Sequence, residues 1–92
     1  MDENEFKPIV KSLPKDFTSH MFIKAYIREH EAEYIRLLKP KKGGFRELNS
    51  HIGQILERNQ ESLEICKGKE PAKDENVKGY ISDNANWIRT DI

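Results

Sequence analysis

Residues 45–62, Phe-Arg-Glu-Leu-Asn-Ser-His-Ile-Gly-Gln-Ile-Leu-Glu-Arg-Asn-Gln-Glu-Ser, constrain the fold more than any other stretch. Leu48, Ile52, Ile55, Leu56 and Asn59 recur at helical intervals and share one side of a helix. Arg46, Asn49, Ser50, His51, Gln54, Glu57 and Arg58 occupy its other sides. A helix with one narrow apolar stripe must lay that stripe on a core supplied by the rest of the chain. Its polar flank is then left for solvent or a ligand. Gly53 lies inside this pattern at a cost of about 1 kcal/mol relative to alanine. Two explanations stand open: close approach of a neighbouring helix, or a tolerated glycine.

The remaining segments supply that core. Ninety-two residues fit one small domain. Residues 1–16 are polar and carry Pro8 and Pro14, so they read as an N-terminal arm that lays Ile9, Val10 or Leu13 on the core. Residues 8–13 are compatible with either extended or helical backbone. A helix opens at Thr18 or Ser19, either of which can cap it, and Phe17 can pack back on Phe22. Met21, Phe22, Ala25 and Tyr26 mark its buried face as far as about His30. Residues 31–38 form a second helical segment, with acids first and basic residues after, as the helix dipole favours. The polar run of residues 29–33 and a shift in apolar face favour a break near His30.

Lys39-Pro40-Lys41-Lys42-Gly43-Gly44 is a loop, stopped by proline and loosened by glycine. After the long helix, residues 63–67 read as a strand, 68–76 as a charged loop and 77–82 as the returning strand. Trp87 and Ile88 are expected to anchor the C-terminal segment over the core. Phe17, Phe22, Tyr26, Tyr34, Phe45, Tyr80 and Trp87 form the expected aromatic core set.

Charge and composition narrow the function classes. Sixteen basic and sixteen acidic residues cancel, so no whole-domain basic balance points to nucleic acid. Local charge does: Arg36, Lys39, Lys41, Lys42 and Arg46 are interrupted by no acid. The single cysteine, Cys66, cannot form an intrachain disulfide, and within an apolar strand it reads as inert packing. The acidic start of the chain is no signal peptide, and no run approaches the ~20 apolar residues of a membrane span. A cytoplasmic protein is expected. His20, His30, His51 and Cys66 match no zinc finger or ribbon spacing, so no metal is expected. No nucleophile–base pair, phosphate-binding glycine loop or cofactor motif is present, and a non-enzyme without cofactor or small-molecule site is expected.

The order helix, helix, loop, helix, strand, loop, strand over residues 17–82 resembles the winged helix-turn-helix superfamily. Phe17-Thr18-Ser19 at the first helix, Leu48-Asn49-Ser50-His51-Ile52-Gly53 in the third, and Lys67 to Lys78 in the wing carry the resemblance. It implies a small α+β winged-helix-like domain over residues 17–92, with about three helices followed by a β-hairpin wing. It also implies duplex DNA binding, as in transcription regulation, with the third helix in the major groove and the wing on the backbone or minor groove. Carried onto this chain, Arg46, Asn49, Ser50, His51 and Gln54 become base-edge candidates. Lys41, Lys42, Lys67, Lys69 and Lys73 become phosphate candidates. Asn and Gln can pair bidentately with adenine, and Arg with guanine, each worth ~1–3 kcal/mol of discrimination. Glu47 and Glu57 sit on or beside that face, and Glu70, Asp74 and Glu75 offset the wing lysines. A second reading therefore stands beside the first: a protein–protein interaction module on the same fold without DNA binding. A dimeric structural domain is a third.

Overall fold

Phe6, Ile9 and Val10 stand three and four residues apart, and burying all three together requires a helix. In the computed structural model, which describes residues 3–39 and 44–92, this segment is helix α1 (Glu3–Ser12). Pro8 lies inside α1 on its exposed side, while Phe6 is wholly buried against Phe22 and Tyr26, with ring centroids 4.7 and 5.7 Å away. The segment read as an arm is therefore a helix seated in the core, and Phe6 joins the aromatic set.

Strand β1 (Asp16–Thr18) leads directly into α2 (Ser19–Glu29). Thr18 is the cap: its Oγ1 accepts from the Met21 N–H at 3.1 Å. The helix stops at His30, which leaves helical geometry at φ −133°. Its N–H closes on the Tyr26 carbonyl at 2.8 Å, and its own carbonyl accepts from the Tyr34 N–H to start α3 (Glu31–Leu38). Residues 19–38 are thus two helices.

Helix α4 (Phe45–Arg58) buries Leu48, Ile52, Ile55 and Leu56 as one stripe. Asn59, expected on that stripe, instead ends the helix. Its side-chain amide donates to the Ile55 carbonyl at 2.8 Å, competing with the backbone for the same acceptor. A short α5 (Gln60–Leu63) follows and closes on Glu64 in left-handed conformation, φ 57°. The described residues hold five helices rather than about three.

The strands depart most from expectation. β2 (Ile65–Lys67) does not pair with the segment 77–82. It pairs antiparallel with β5 (Asn86–Arg89), which also pairs with β1, giving the order β1-β5-β2. Trp87 sets this arrangement. It is 1% exposed, and its indole N–H donates to Ser19 Oγ at 2.9 Å. That tryptophan can be sealed on both sides only if its strand is central. The expected loop instead contains β3 (Ala72–Glu75), which pairs with β4 (Ile81–Asn84) in a separate two-stranded hairpin. Its turn is built on Asn76, whose Oδ1 accepts from the N–H groups of Lys78 and Tyr80, and on Gly79 at φ 87°.

The product is a small α+β domain with one hydrophobic core. Two residues expected inside are outside it. Tyr80 is 69% exposed, and Cys66 lies on the open face of β2 beside buried Ile65.

Candidate functional site: a cleft between helix α4 and the β3–β4 hairpin

With the stripe of α4 committed to the core, residues 46, 49, 50, 53, 54 and 57 fall on an adjoining face. That face and the β3–β4 hairpin wall a cleft of about 700 Å³. Arg46, Asn49, Ser50, Gln54 and Glu57 come from α4, Lys67 from β2, and Lys78, Ser82 and Asp83 from the hairpin. Ser19 and His20, in the first turn of α2, also line it.

A polar network anchors the hairpin beside the start of α2. Asp74 of β3 accepts from Thr18 Oγ1 on one oxygen at 2.7 Å. On the other oxygen it meets Asn84 Nδ2 and His20 Nδ1, each at 2.7 Å. Asn84 Oδ1 in turn accepts from the His20 backbone N–H at 2.8 Å. Burial works to raise the Asp74 carboxyl, but the hydrogen bonds from Thr18, Asn84 and His20 outweigh it and hold it below the ordinary aspartate value. Thr18 therefore caps α2 with its oxygen and holds the hairpin with its proton.

Across the cleft, Tyr34 fixes Asn49. Burial pushes the Tyr34 phenol up to about 12, so it stays protonated and donates to Asn49 Oδ1 at 2.7 Å. The Asn49 carbonyl is thereby engaged, and its NH₂ is what remains for the cleft. A bidentate adenine contact, which needs both groups, is no longer its simplest role.

The charges are of both signs. Glu57 pairs with Lys67 at 3.4 Å and Asp83 with Lys73 at 4.0 Å. Arg46 has no ion pair among the described residues. Lys78 stands over the Phe45 ring, 5.4 Å from its centre.

Of the sequence candidates, Arg46, Asn49, Ser50, Gln54 and Lys67 meet in this cleft. His51 is exposed on α4 but outside it. Lys69 lines a smaller depression of about 360 Å³, and Lys73 projects into solvent from β3. Lys41 and Lys42 lie outside the described residues. Lys78, His20, Asp74 and Asn84 had no local sequence signal, because only the pairing of β3 with β4 brings Asp74 and Asn84 to the start of α2.

Away from the cleft, side-chain atoms of Glu5, His30 and Glu33 lie within 4.8 Å of one another. His30 lies 3.6 Å from Glu5, and Glu33 accepts from the Tyr26 hydroxyl at 3.2 Å and pairs with Arg36 at 3.4 Å. No helix among the described residues is long and apolar enough to cross a membrane. No family model, curated protein or solved structure matches the chain.

Proposed function

We propose that this domain binds duplex DNA as a winged-helix module, with α4 as the reading helix and the β3–β4 hairpin as the wing. One observation carries the reading. The polar face of α4 and the hairpin confront each other across a single cleft that also holds Arg46, Lys67 and Lys78. A helix in the major groove and a hairpin against the neighbouring backbone would straddle one phosphate strand, which is what such a cleft can accept. Arg46 and Gln54 are the base-edge candidates whose side chains nothing engages among the described residues, while Asn49 and Ser50 offer donors. Lys67 and Lys78 neutralising two phosphates give a log–log salt slope near −1.8, so binding is modest and only moderately salt-sensitive.

Fluorescence anisotropy with a randomised duplex pool, at low and moderate salt, tests this. The expected result is micromolar binding at low salt. Arg46→Ala with Lys78→Ala should weaken it about tenfold and flatten the salt slope by about one. Absence of binding at micromolar protein and low salt refutes the DNA reading. Unchanged affinity in the double variant refutes the assigned face.

A second reading rests on Tyr80 and Ile81, adjacent on the hairpin and 69% and 67% exposed. Such a pair suits a protein partner docking on the hairpin. On that reading the DNA titration is flat, and Tyr80→Ser with Ile81→Ser abolishes a concentration-dependent mass or partner complex.

A further inference from the structure

We infer that His20 is a proton-linked phosphate contact at the floor of the cleft; the inference rests on the DNA reading above. The His20 side chain is 11% exposed and held by the 2.7 Å contact between Nδ1 and Asp74 Oδ1. Asp74 also accepts from Thr18 and Asn84, so it is an ionised acceptor and Nδ1 carries the proton. Nothing among the described residues bonds Nε2. Among the described residues no buried side-chain nitrogen or oxygen lacks a partner, so Nε2 is not sealed inside the protein. His20 is among the residues that line the cleft, and on this assignment Nε2 faces it.

Nε2 thus has two states with opposite preferences. In the neutral ring it is an acceptor and repels a phosphate oxygen, which is an acceptor as well. With a solvent proton added it becomes a charge-assisted donor to that oxygen. No other bond forms or breaks. A phosphodiester entering the cleft therefore brings a proton onto His20, and by linkage each favours the other.

The surrounding charges bear on that balance from every side. Asp74 on β3 favours the imidazolium. Arg46 on α4, Lys67 on β2, Lys78 in the hairpin turn, Lys24 on α2 and the positive end of α2 itself oppose it. Glu57, Asp83 and Glu75 are paired with Lys67, Lys73 and Lys24. Phosphate charge in the cleft tilts this mixed field toward protonation.

The test measures duplex affinity from mildly acidic to mildly basic pH, with calorimetry in two buffers of unlike ionisation enthalpy. The expected wild-type result is net uptake of up to one proton per complex. Affinity should fall as pH rises, by at most ~tenfold per pH unit. His20→Gln can still donate to Asp74 but cannot titrate, so it should bind with lower affinity at acidic pH and lose the proton uptake. A long-range proton–nitrogen NMR spectrum of the wild-type complex should show both ring nitrogens protonated, which decides the matter even if the variant fails to fold. Wild-type binding without proton uptake, or equal uptake by His20→Gln, overturns the contact and leaves the DNA reading intact. No DNA binding at any pH overturns both.

Discussion

Replacing Asp74 with alanine removes the acceptor on which the hairpin anchorage converges. Three hydrogen bonds are lost, from Thr18, His20 and Asn84, all at 2.7 Å. Hydrogen bonds to a charged group are worth ~1.5–3 kcal/mol each when sheltered. The Asp74 side chain is 32% exposed, so solvent competes and each bond counts at well below that range. A total of about 2–3 kcal/mol follows, equivalent to a melting-temperature fall of roughly 10–15 °C in a domain of this size. The pH dependence has a definite sign. The folded-state carboxyl titrates below its unfolded value, so its contribution is complete above the unfolded pKa of about 3.9 and is lost as pH falls through the lower folded value. Urea unfolding followed by the fluorescence of Trp87 measures both effects, since it is the only tryptophan and is fully buried. The gap between wild type and Asp74→Ala should be full at pH 7 and at pH 5 and should narrow at pH 3. Hydrogen exchange should show the β3–β4 amides opening first in the variant. A loss below ~0.5 kcal/mol at pH 7, or a gap unchanged at pH 3, would refute the view that this carboxylate anchors the hairpin.

Two further substitutions test local backbone and packing arguments. A Cβ at Gly53 would meet nothing within 4 Å, so no neighbouring helix requires this glycine. Gly53→Ala should raise stability by about 1 kcal/mol in a thermal melt, and a loss would mean that a neighbour does press on this turn of α4. Glu64→Gly should likewise gain ~1 kcal/mol by releasing a left-handed residue that carries a side chain. If urea unfolding finds it neutral or destabilising, contacts of the Glu64 side chain outweigh the strain.

Local patterns in the chain carried a good share of this fold. The stripe Leu48, Ile52, Ile55 and Leu56 is buried on α4, Thr18 caps α2, and the helix breaks at His30. Each depends on residues within one or two turns of each other. The sheet was harder to read for a physical reason. Ala72–Glu75 and Ile81–Asn84 have almost no apolar alternation, because the hairpin buries little and is held by side-chain hydrogen bonds instead. Nor could any window reveal that β5 separates β1 from β2. α1 was obscured by Pro8, whose cost is outweighed by the joint burial of Phe6, Ile9 and Val10. In the site, the α4 residues were legible because they share a helix with the stripe. The Asp74–His20–Asn84 network was not, because its members are 10 to 64 residues apart.

The central place of β5 has a consequence for how the chain folds. Trp87 meets Ser19 across 68 residues, and β5 comes after β1 and β2 in the chain. Until it docks, β1 and β2 have no strand between them, and the space that Trp87 fills is open. Helices α1 to α5 can gather earlier through shorter-range contacts, but the sheet forms in one late step. Such long-range closure is slow, and it leaves two strand edges open to pairing with other chains in the meantime. The folding chain is therefore most exposed to aggregation just before β5 docks, the interval in which a chaperone would help it most.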